Sequence, residues 1–205
     1  MAGKFITIEG IDGSGKTTQA GRIAQWLEVR TGRETIRTFE PGGWEDGESF
    51  REIILHRKFC ALSELLLFLA DRSEHVNRVI LPALLEGKNV VCERWNESTM
   101  AYQAGGHELD PLQVGRIISA CDFPEPDAKI FLDIPPELAI ERIKSRANHD
   151  KFESEGLALM NRVAKSYRLF SDDMRMTRIN CAGLSEDDVF DAVILSLEEN
   201  LWQSR

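Results

Sequence analysis

A glycine-rich loop at residues 10–17, Gly-Ile-Asp-Gly-Ser-Gly-Lys-Thr, leaves this chain few folds to choose from. Residues 5–9 before it form a short β-rich run, and residues 16–30 after it have the apolar spacing of an amphipathic helix. The pattern Gly-x-x-x-x-Gly-Lys-[Ser/Thr] between a strand and a helix is typical of a phosphate-binding loop. The alternative is a glycine turn that precedes a lysine-bearing helix by accident, and the flanking strand argues against it.

The residue types of this loop suit the phosphates of a nucleotide. Glycines let backbone N–H groups and the positive helix end face the phosphates, Lys16 can reach the terminal groups, and Thr17 offers a hydroxyl to magnesium. We therefore assign the phosphates of the nucleotide to the whole loop: Gly10, Ile11, Asp12, Gly13, Ser14, Gly15, Lys16, Thr17 and Thr18.

The rest of the chain alternates strands with helices. Further strands are predicted at residues 35–39, 89–93, 129–134 and 177–181, with helical patterns between them. This alternation predicts an α/β fold with three layers, a five-stranded parallel sheet covered by helices on both faces. The longest helical stretch covers residues 61–86, where Pro82 is expected to introduce a kink, and the last covers residues 185–202. No linker divides residues 1–205, so a single domain is predicted.

Composition narrows the class of partner. The net charge of −9 argues against broad nucleic-acid binding, which depends on a basic surface. No run of about 18 uncharged apolar residues indicates a membrane span, and the start of the chain is a poor signal peptide. The four cysteines form no Cys-x-x-Cys pair, which favours free thiols in a reducing compartment. We expect a cytoplasmic protein without nucleic-acid or membrane partners.

A phosphate loop alone does not separate kinases from GTPases, motors or binding modules. The chain has no Asn/Thr-Lys-x-Asp motif for guanine and is short for a motor. Arg94 directly follows a predicted strand, and ligands of open α/β sheets gather beyond the carboxyl ends of strands. A guanidinium there could grip a second phosphate through two hydrogen bonds, and a surface ion pair is the alternative.

Four segments in order resemble the thymidylate kinase family: residues 5–19, 40–43, 93–103 and 126–137. The resemblance implies the P-loop NTPase fold with a short lid, and transfer of a phosphoryl group from ATP, with Mg²⁺, to deoxythymidine monophosphate (dTMP). It also implies a homodimer. A kinase of another deoxynucleoside monophosphate and a P-loop regulatory protein with little turnover remain the alternatives.

The resemblance assigns roles to residues that hold the acceptor. Phe68 would stack on the base, Arg72 would donate to a base carbonyl, and Tyr102 would crowd the 2′ position of the sugar. Without the family, Phe68 is interpreted as a core residue and Ser98 as a helix cap, and Arg51 as either a ligand of the acceptor phosphate or a solvated surface residue. The implied substrate residues are Glu40, Arg51, Phe68, Arg72, Arg94, Ser98, Thr99, Tyr102 and Gln103, and the implied metal residues are Thr17 and Glu93.

A basic cluster in residues 141–153 stands out in this acidic chain. Cations on a closing segment can stabilise the charge that spreads over a transferring phosphoryl group. The resemblance places a lid at about residues 142–155, whereas Lys144 reads better as a solvated helix end. The predicted catalytic residues are Asp12, Lys16, Arg94, Arg142, Arg146 and Lys151.

The chain departs from the family pattern at four positions. Glu93 replaces an aspartate, Phe39 an arginine, Trp95 a tyrosine or histidine, and Lys151 a lid arginine. The roles of Glu93 and of the region around Phe39 are therefore open at this point.

Overall fold

The computed structural model describes residues 3–146 and 154–202, with the backbone alone at residues 145–146 and 154–155. Its strands are β1 Phe5–Glu9, β2 Thr35–Phe39, β3 Asn89–Glu93, β4 Ala128–Asp133 and β5 Thr177–Asn180. They form one five-stranded sheet in the order β2-β3-β1-β4-β5, and every neighbouring pair is parallel. The predicted fold class is confirmed, because the strands alternate with helices along the chain. Strand β3 is inserted between β1 and β2, so the two halves of the sheet wind outward from β1 and β3.

The helices have the following bounds, in chain order. The helices are α1 Lys16–Thr31, α2 Gly47–His56, α3 Ala61–His75, α4 Leu81–Leu85, α5 Asn96–Thr99, α6 Pro111–Ala120, α7 Pro136–Arg146, α8 Ser154–Phe170 and α9 Glu186–Trp202. The predicted fourth and fifth strands end one residue too late, and the fourth also begins one residue too late.

The centre of the sheet is buried because both of its faces are apolar there, whereas the edge strands β2 and β5 are partly exposed. Strands β1 and β3 are buried along their whole length, as expected of strands covered on both sides. The larger core lies against α1, α8 and α9 and is centred on residues such as Ile8, Ile23, Leu132 and Val193. A smaller core, with Phe5 and Trp95, packs against the opposite face. The carboxyl ends of β1, β2 and β3 remain open and face the loop of residues 10–15.

The helical stretch at residues 61–86 is interrupted before Pro82. Residues Val76–Ile80 form a π-helical segment between α3 and α4. Because proline has no N–H and its ring crowds the preceding turn, the wider turn lies on the amino-terminal side of Pro82. The prediction of helix over this stretch is confirmed, and the irregularity takes the form of a widened turn upstream.

A second π-helical segment, Met100–Gly106, extends α5. Segments of this kind often mark functional sites, since an extra residue in a turn changes which side chains share a face. Tyr102 and Gln103 belong to this segment, and both of them line a cavity described below. Among the described residues, no helix is long and apolar enough to cross a membrane.

Candidate active site

The glycine-rich loop joins β1 to α1, as its sequence context predicts. Gly15 at the helix start has φ 97°, a left-handed conformation that glycine adopts without strain. The Lys16 ammonium donates to the carbonyls of Gly10 at 3.0 Å and Ile11 at 2.9 Å. Burial first, and then the neighbouring charge of Arg94, lower the pKa of Lys16 to about 7. An anion beside this lysine would oppose both effects and favour the ammonium.

Two oxygens that suit a divalent cation meet at the start of α1 and the end of β3. The Thr17 hydroxyl donates to Glu93 Oε2 at 2.7 Å. The other oxygen, Glu93 Oε1, accepts from Arg37 Nη2 at 3.2 Å. Hydroxyl and carboxylate oxygens are the ligands that Mg²⁺ prefers, so this pair fits the predicted metal residues. Arg37 was missed by the sequence reasoning, although its position two residues before Phe39 puts both on one face of β2.

Arg94 lies immediately beyond β3 in a left-handed conformation, φ 72°, which is rare outside glycine and recurs at functional sites. Its Nη2 donates to Asp12 Oδ1 at 2.6 Å and to the Tyr102 hydroxyl at 3.2 Å. Its Nη1 donates to the Gly10 carbonyl at 3.3 Å. The Arg94 charge in turn lowers the pKa of Asp12. The arginine therefore ties the loop to the segment after β3.

A buried carboxyl group supports this arrangement from below. Glu9, at the end of β1, accepts at Oε2 from Ser98 Oγ at 2.6 Å and from the Tyr167 hydroxyl at 3.0 Å. Burial first, and then the charge of Glu97, raise the pKa of Glu9 to about 7. Ser98 lies inside α5 and points at Glu9, so its interpretation as a helix cap is wrong. The sequence reasoning did not single out Glu9 or Tyr167.

Two cavities adjoin at Arg94. The first, of about 370 Å³, is lined by the phosphate loop and by the ends of β2 and β3, and we call it the loop cavity. The second, of about 400 Å³, lies between α2, α3 and the segment that follows β3, and we call it the helix cavity. Four residues line both cavities: Asp12, Glu40, Arg51 and Arg94.

The structure brings all nine predicted substrate residues together in the helix cavity: Glu40, Arg51, Phe68, Arg72, Arg94, Ser98, Thr99, Tyr102 and Gln103. Six of the nine predicted loop residues line the loop cavity: Asp12, Gly13, Gly15, Lys16, Thr17 and Thr18. Gly10 and Ile11 instead bind Lys16 through their carbonyls. Ser14 lines a third cavity of about 310 Å³, beside Arg142 of α7.

Arg72 is held rigidly at the wall of the helix cavity. Its side chain is only 2% exposed, and its Nε donates to Glu40 Oε2 at 2.7 Å. Its Nη1 donates to Asn96 Oδ1 at 2.8 Å and to Thr99 Oγ1 at 3.0 Å. Glu40 is fixed from its other oxygen by His75 Nδ1 at 3.0 Å. This network leaves the guanidinium little freedom, which suits a group that must meet a ligand in one orientation.

Comparison with known proteins identifies the family of this chain. Residues 8–193 match the family described as thymidylate kinase. The chain belongs to the thymidylate kinase family. It is 43% identical to a thymidylate kinase of Thiobacillus denitrificans over 171 residues, which cover 82% of each chain. It is 39% identical to a probable thymidylate kinase of Pyrococcus abyssi over 208 residues, which cover 98% of each.

A solved structure supports the same family. The crystal structure of thymidylate kinase from Ehrlichia chaffeensis matches with a TM-score of 0.76 and 30% sequence identity. The match covers 97% of this chain and 100% of that chain. The family resemblance read from four sequence segments is therefore confirmed, and with it the P-loop NTPase fold that the resemblance implies.

The departures from the family pattern have structural counterparts. Where an arginine often stands, Phe39 is 41% exposed at the loop cavity, and the Arg51 guanidinium lies 5.5 Å from its ring. Arg37 supplies a cation from the same strand and reaches Glu93. Trp95 is fully buried, with the Arg72 guanidinium 5.1 Å from its ring, so it supports that arginine from behind.

The predicted lid residues are only partly described. Arg142 is described within α7. Arg146 ends α7, and its side chain lies outside the described residues, as does Lys151 entirely. Lys144 is exposed, in agreement with its interpretation as a solvated residue.

Proposed function

We propose that the chain transfers the γ-phosphoryl group of ATP to dTMP, giving ADP and the diphosphate (dTDP), as a step toward dTTP. The observation that carries the proposal is the junction of the two cavities at Arg94. A donor phosphate on the loop and an acceptor phosphate in the helix cavity would there share one guanidinium. Membership in the thymidylate kinase family supports this substrate pair.

In this proposal the loop and Lys16 hold the donor. Their N–H groups and ammonium would bind the β and γ phosphates, and Arg94 would span the donor and acceptor. Catalysis is then a matter of positioning the two phosphates in line and of neutralising charge, without a covalent intermediate. Asp12 would keep Arg94 directed toward the junction through their ion pair of 2.6 Å.

Thr17 and Glu93 would hold the magnesium ion. Their oxygens are 2.7 Å apart at the loop cavity, and both are hard ligands. When bound, Mg²⁺ would neutralise negative charge on the donor phosphates. Arg37 would orient Glu93 through its contact at 3.2 Å. The extra methylene of glutamate, relative to the family's aspartate, fits a carboxylate that is held from both sides.

The helix cavity would hold the acceptor. Arg51 and Arg94 lie at its junction with the loop cavity, where the acceptor phosphate belongs, and Arg51 is anchored by the Pro41 carbonyl at 2.8 Å. Phe68 is half-buried in the wall and presents a ring for stacking against the base. Tyr102 would border the sugar and disfavour a 2′-hydroxyl, and Ser98, Thr99 and Glu40 would complete the wall.

Residues 142–155 would act as the lid of a single domain. Arg142 is the part of this segment that borders the phosphate loop, where it lines the third cavity with Gly13 and Ser14. Arg146 and Lys151 would approach the transferring group and stabilise its charge.

We further propose that the protein is a homodimer of the cytoplasm. Leu62 and Leu66 lie four residues apart on α3 and are 43% and 51% exposed, and Ile53 of α2 is 45% exposed. Such an apolar helical face suits contact with a second copy. All four cysteines are free, which agrees with a reducing compartment.

A coupled assay for ADP release against a panel of nucleoside monophosphates tests the activity. We expect ADP release that depends on dTMP, and we expect Lys16→Ala to lower turnover by about 10³-fold or more while leaving the circular dichroism spectrum unchanged. Lys88→Ala is the matched control, because Lys88 pairs with Glu34 and Glu86 on the surface. If no monophosphate increased the release of ADP, the chain would be a regulatory protein. If another monophosphate increased ADP release more than dTMP does, that monophosphate would be the substrate.

A further inference from the structure

The side-chain amide of Gln103 is held by a carboxylate in the wall of the helix cavity. Gln103 is 2% exposed, and its Nε2 donates to Glu64 Oε1 at 2.9 Å. His107 Nε2 lies 3.3 Å from the same oxygen, so Glu64 is held in turn. All three side chains line the helix cavity. Glu64 and His107 carry no role in the function proposed above.

The chemistry of the pair determines which way the amide faces. An ionised carboxylate only accepts hydrogen bonds, so the NH₂ end of Gln103 must be the end that faces Glu64. The carbonyl oxygen Oε1 is then the other end of the amide, and it accepts no hydrogen bond from the described residues. Within the described part of the chain, the contact with Glu64 is the one hydrogen bond that this side-chain amide makes, so it is the contact that sets the orientation.

Helix α3 also presents a hydrogen-bond donor to the helix cavity, in Arg72. Glu64, Phe68 and Arg72 are spaced by four residues on α3, so they share one face of the helix. Three bonds hold the Nε and Nη1 atoms of Arg72, whereas its Nη2 has no hydrogen-bond partner within the described part of the chain. Beside the Phe68 ring, the cavity therefore offers one fixed donor and one fixed acceptor.

We propose that Glu64 is a positioning residue for base selection, which orients the Gln103 amide so that Oε1 accepts a hydrogen bond from pyrimidine N3–H. This inference rests on the function proposed above and adds a determinant of specificity to it. Thymine and uracil offer a carbonyl at C4 and N–H at N3, which match Arg72 and Gln103 respectively.

Cytosine would reverse both contacts. Its C4 amino group would face the Arg72 donor, and its unprotonated N3 would face the Gln103 carbonyl. A buried site built for hydrogen bonds rejects a ligand that leaves its polar groups unpaired. The two contacts do not involve the C5 substituent, so they leave the choice between thymine and uracil to other parts of the wall.

The variant Glu64→Gln tests the inference, because it keeps the shape of the side chain but can present either an acceptor or a donor to Gln103. Activity is measured as kcat/KM for dTMP and for the deoxy-monophosphates of uracil (dUMP) and cytosine (dCMP). We expect the ratio of dTMP to dCMP to fall about tenfold or more, with the dTMP loss mainly in KM. The ratio of dTMP to dUMP should stay within about twofold, since both bases carry N3–H.

A double-mutant cycle separates this role from a merely structural one. In a Gln103→Ala background, adding Glu64→Gln should change the dTMP to dCMP ratio by less than about twofold. Glu74→Gln on the same helix is the matched control, since Glu74 pairs only with Arg78 among the described residues and lines none of the three cavities described above. Its ratios should equal those of the wild type.

Two outcomes overturn different claims. An active wild-type protein whose selectivity survives Glu64→Gln, or a further loss of selectivity in the Gln103→Ala background, would overturn the positioning role alone. Wild-type protein that releases no ADP in response to dTMP would overturn the proposed function and this inference with it.

Discussion

Replacing Glu9 with glutamine should remove a specific part of the pH dependence of folding stability. The Glu9 side chain is completely buried at the end of β1, and no hydrogen-bond partner among the described residues reaches its Oε1. Burial penalises the carboxylate and the nearby Glu97 repels it, so its pKa rises from 4.5 to about 7. The folded protein therefore keeps a proton on Glu9 at pH values where the unfolded chain has lost it.

The sign and size follow from this difference in proton binding. The stabilisation from Glu9 is complete below pH 4.5, declines as the pH rises, and is lost once the pH exceeds the folded pKa of about 7. Between pH 5 and pH 8, this single group should lower the free energy of unfolding by about 2 to 3 kcal/mol. That change corresponds to roughly 1 M in the midpoint of a urea transition.

Urea denaturation at a series of pH values measures the effect. We expect Glu9→Gln to flatten the curve of unfolding free energy between pH 5 and pH 8 by that amount, relative to the wild type. The prediction concerns this slope and not the absolute stability of Glu9→Gln. The absolute stability can change for another reason, because the new amide NH₂ takes the place of Oε1, which has no partner among the described residues. Glu28→Gln, an exposed change on α1, controls for the loss of one carboxylate. Equal slopes in wild type and Glu9→Gln would refute the reasoning.

Two further predictions concern the bound ligands. Phe68→Ala should raise the KM for dTMP about tenfold, with little change in the KM for ATP, because base stacking on an aromatic ring contributes about 1 to 3 kcal/mol. Steady-state kinetics with each substrate varied in turn measures both KM values. An equal rise in the two KM values would contradict the prediction. Arg146→Ala should lower kcat more than it weakens dTMP binding, as measured by calorimetry, and the reverse pattern would make Arg146 a substrate anchor.

Much of the fold could be predicted from local pattern. The run before residue 10, the glycines and the helix after Lys16 form a continuous segment, and their relation does not depend on distant residues. Strand and helix periods are also local, so the five strands were located to within one residue. The widened turn at Val76–Ile80 could not be located in this way. The sequence shows that Pro82 disturbs a helix, but it does not show which turn changes its geometry as a result.

The candidate site divides in the same way. Arg94 could be proposed from its own position directly beyond a strand. Phe68 and Arg72 share one face of a helix at a spacing of four, but only the resemblance to the thymidylate kinase family assigned them to the base. Glu64 has that same spacing to Phe68, and Arg37 has the alternation of β2, so both carried a signal that was overlooked.

The sequence by itself determined the phosphate loop, the order of strands and helices along the chain, and the residue types available for a nucleotide, because these properties depend on neighbours in the chain. Only the tertiary structure decided that β3 lies between β1 and β2, that Glu9 meets Tyr167 across 158 positions, and that Glu64 turns the Gln103 amide. Those contacts depend on how strands and helices that are distant in the sequence pack against one another. The free energy that favours one packing arrangement comes from burial of the apolar surface of the whole sheet and not from any one segment.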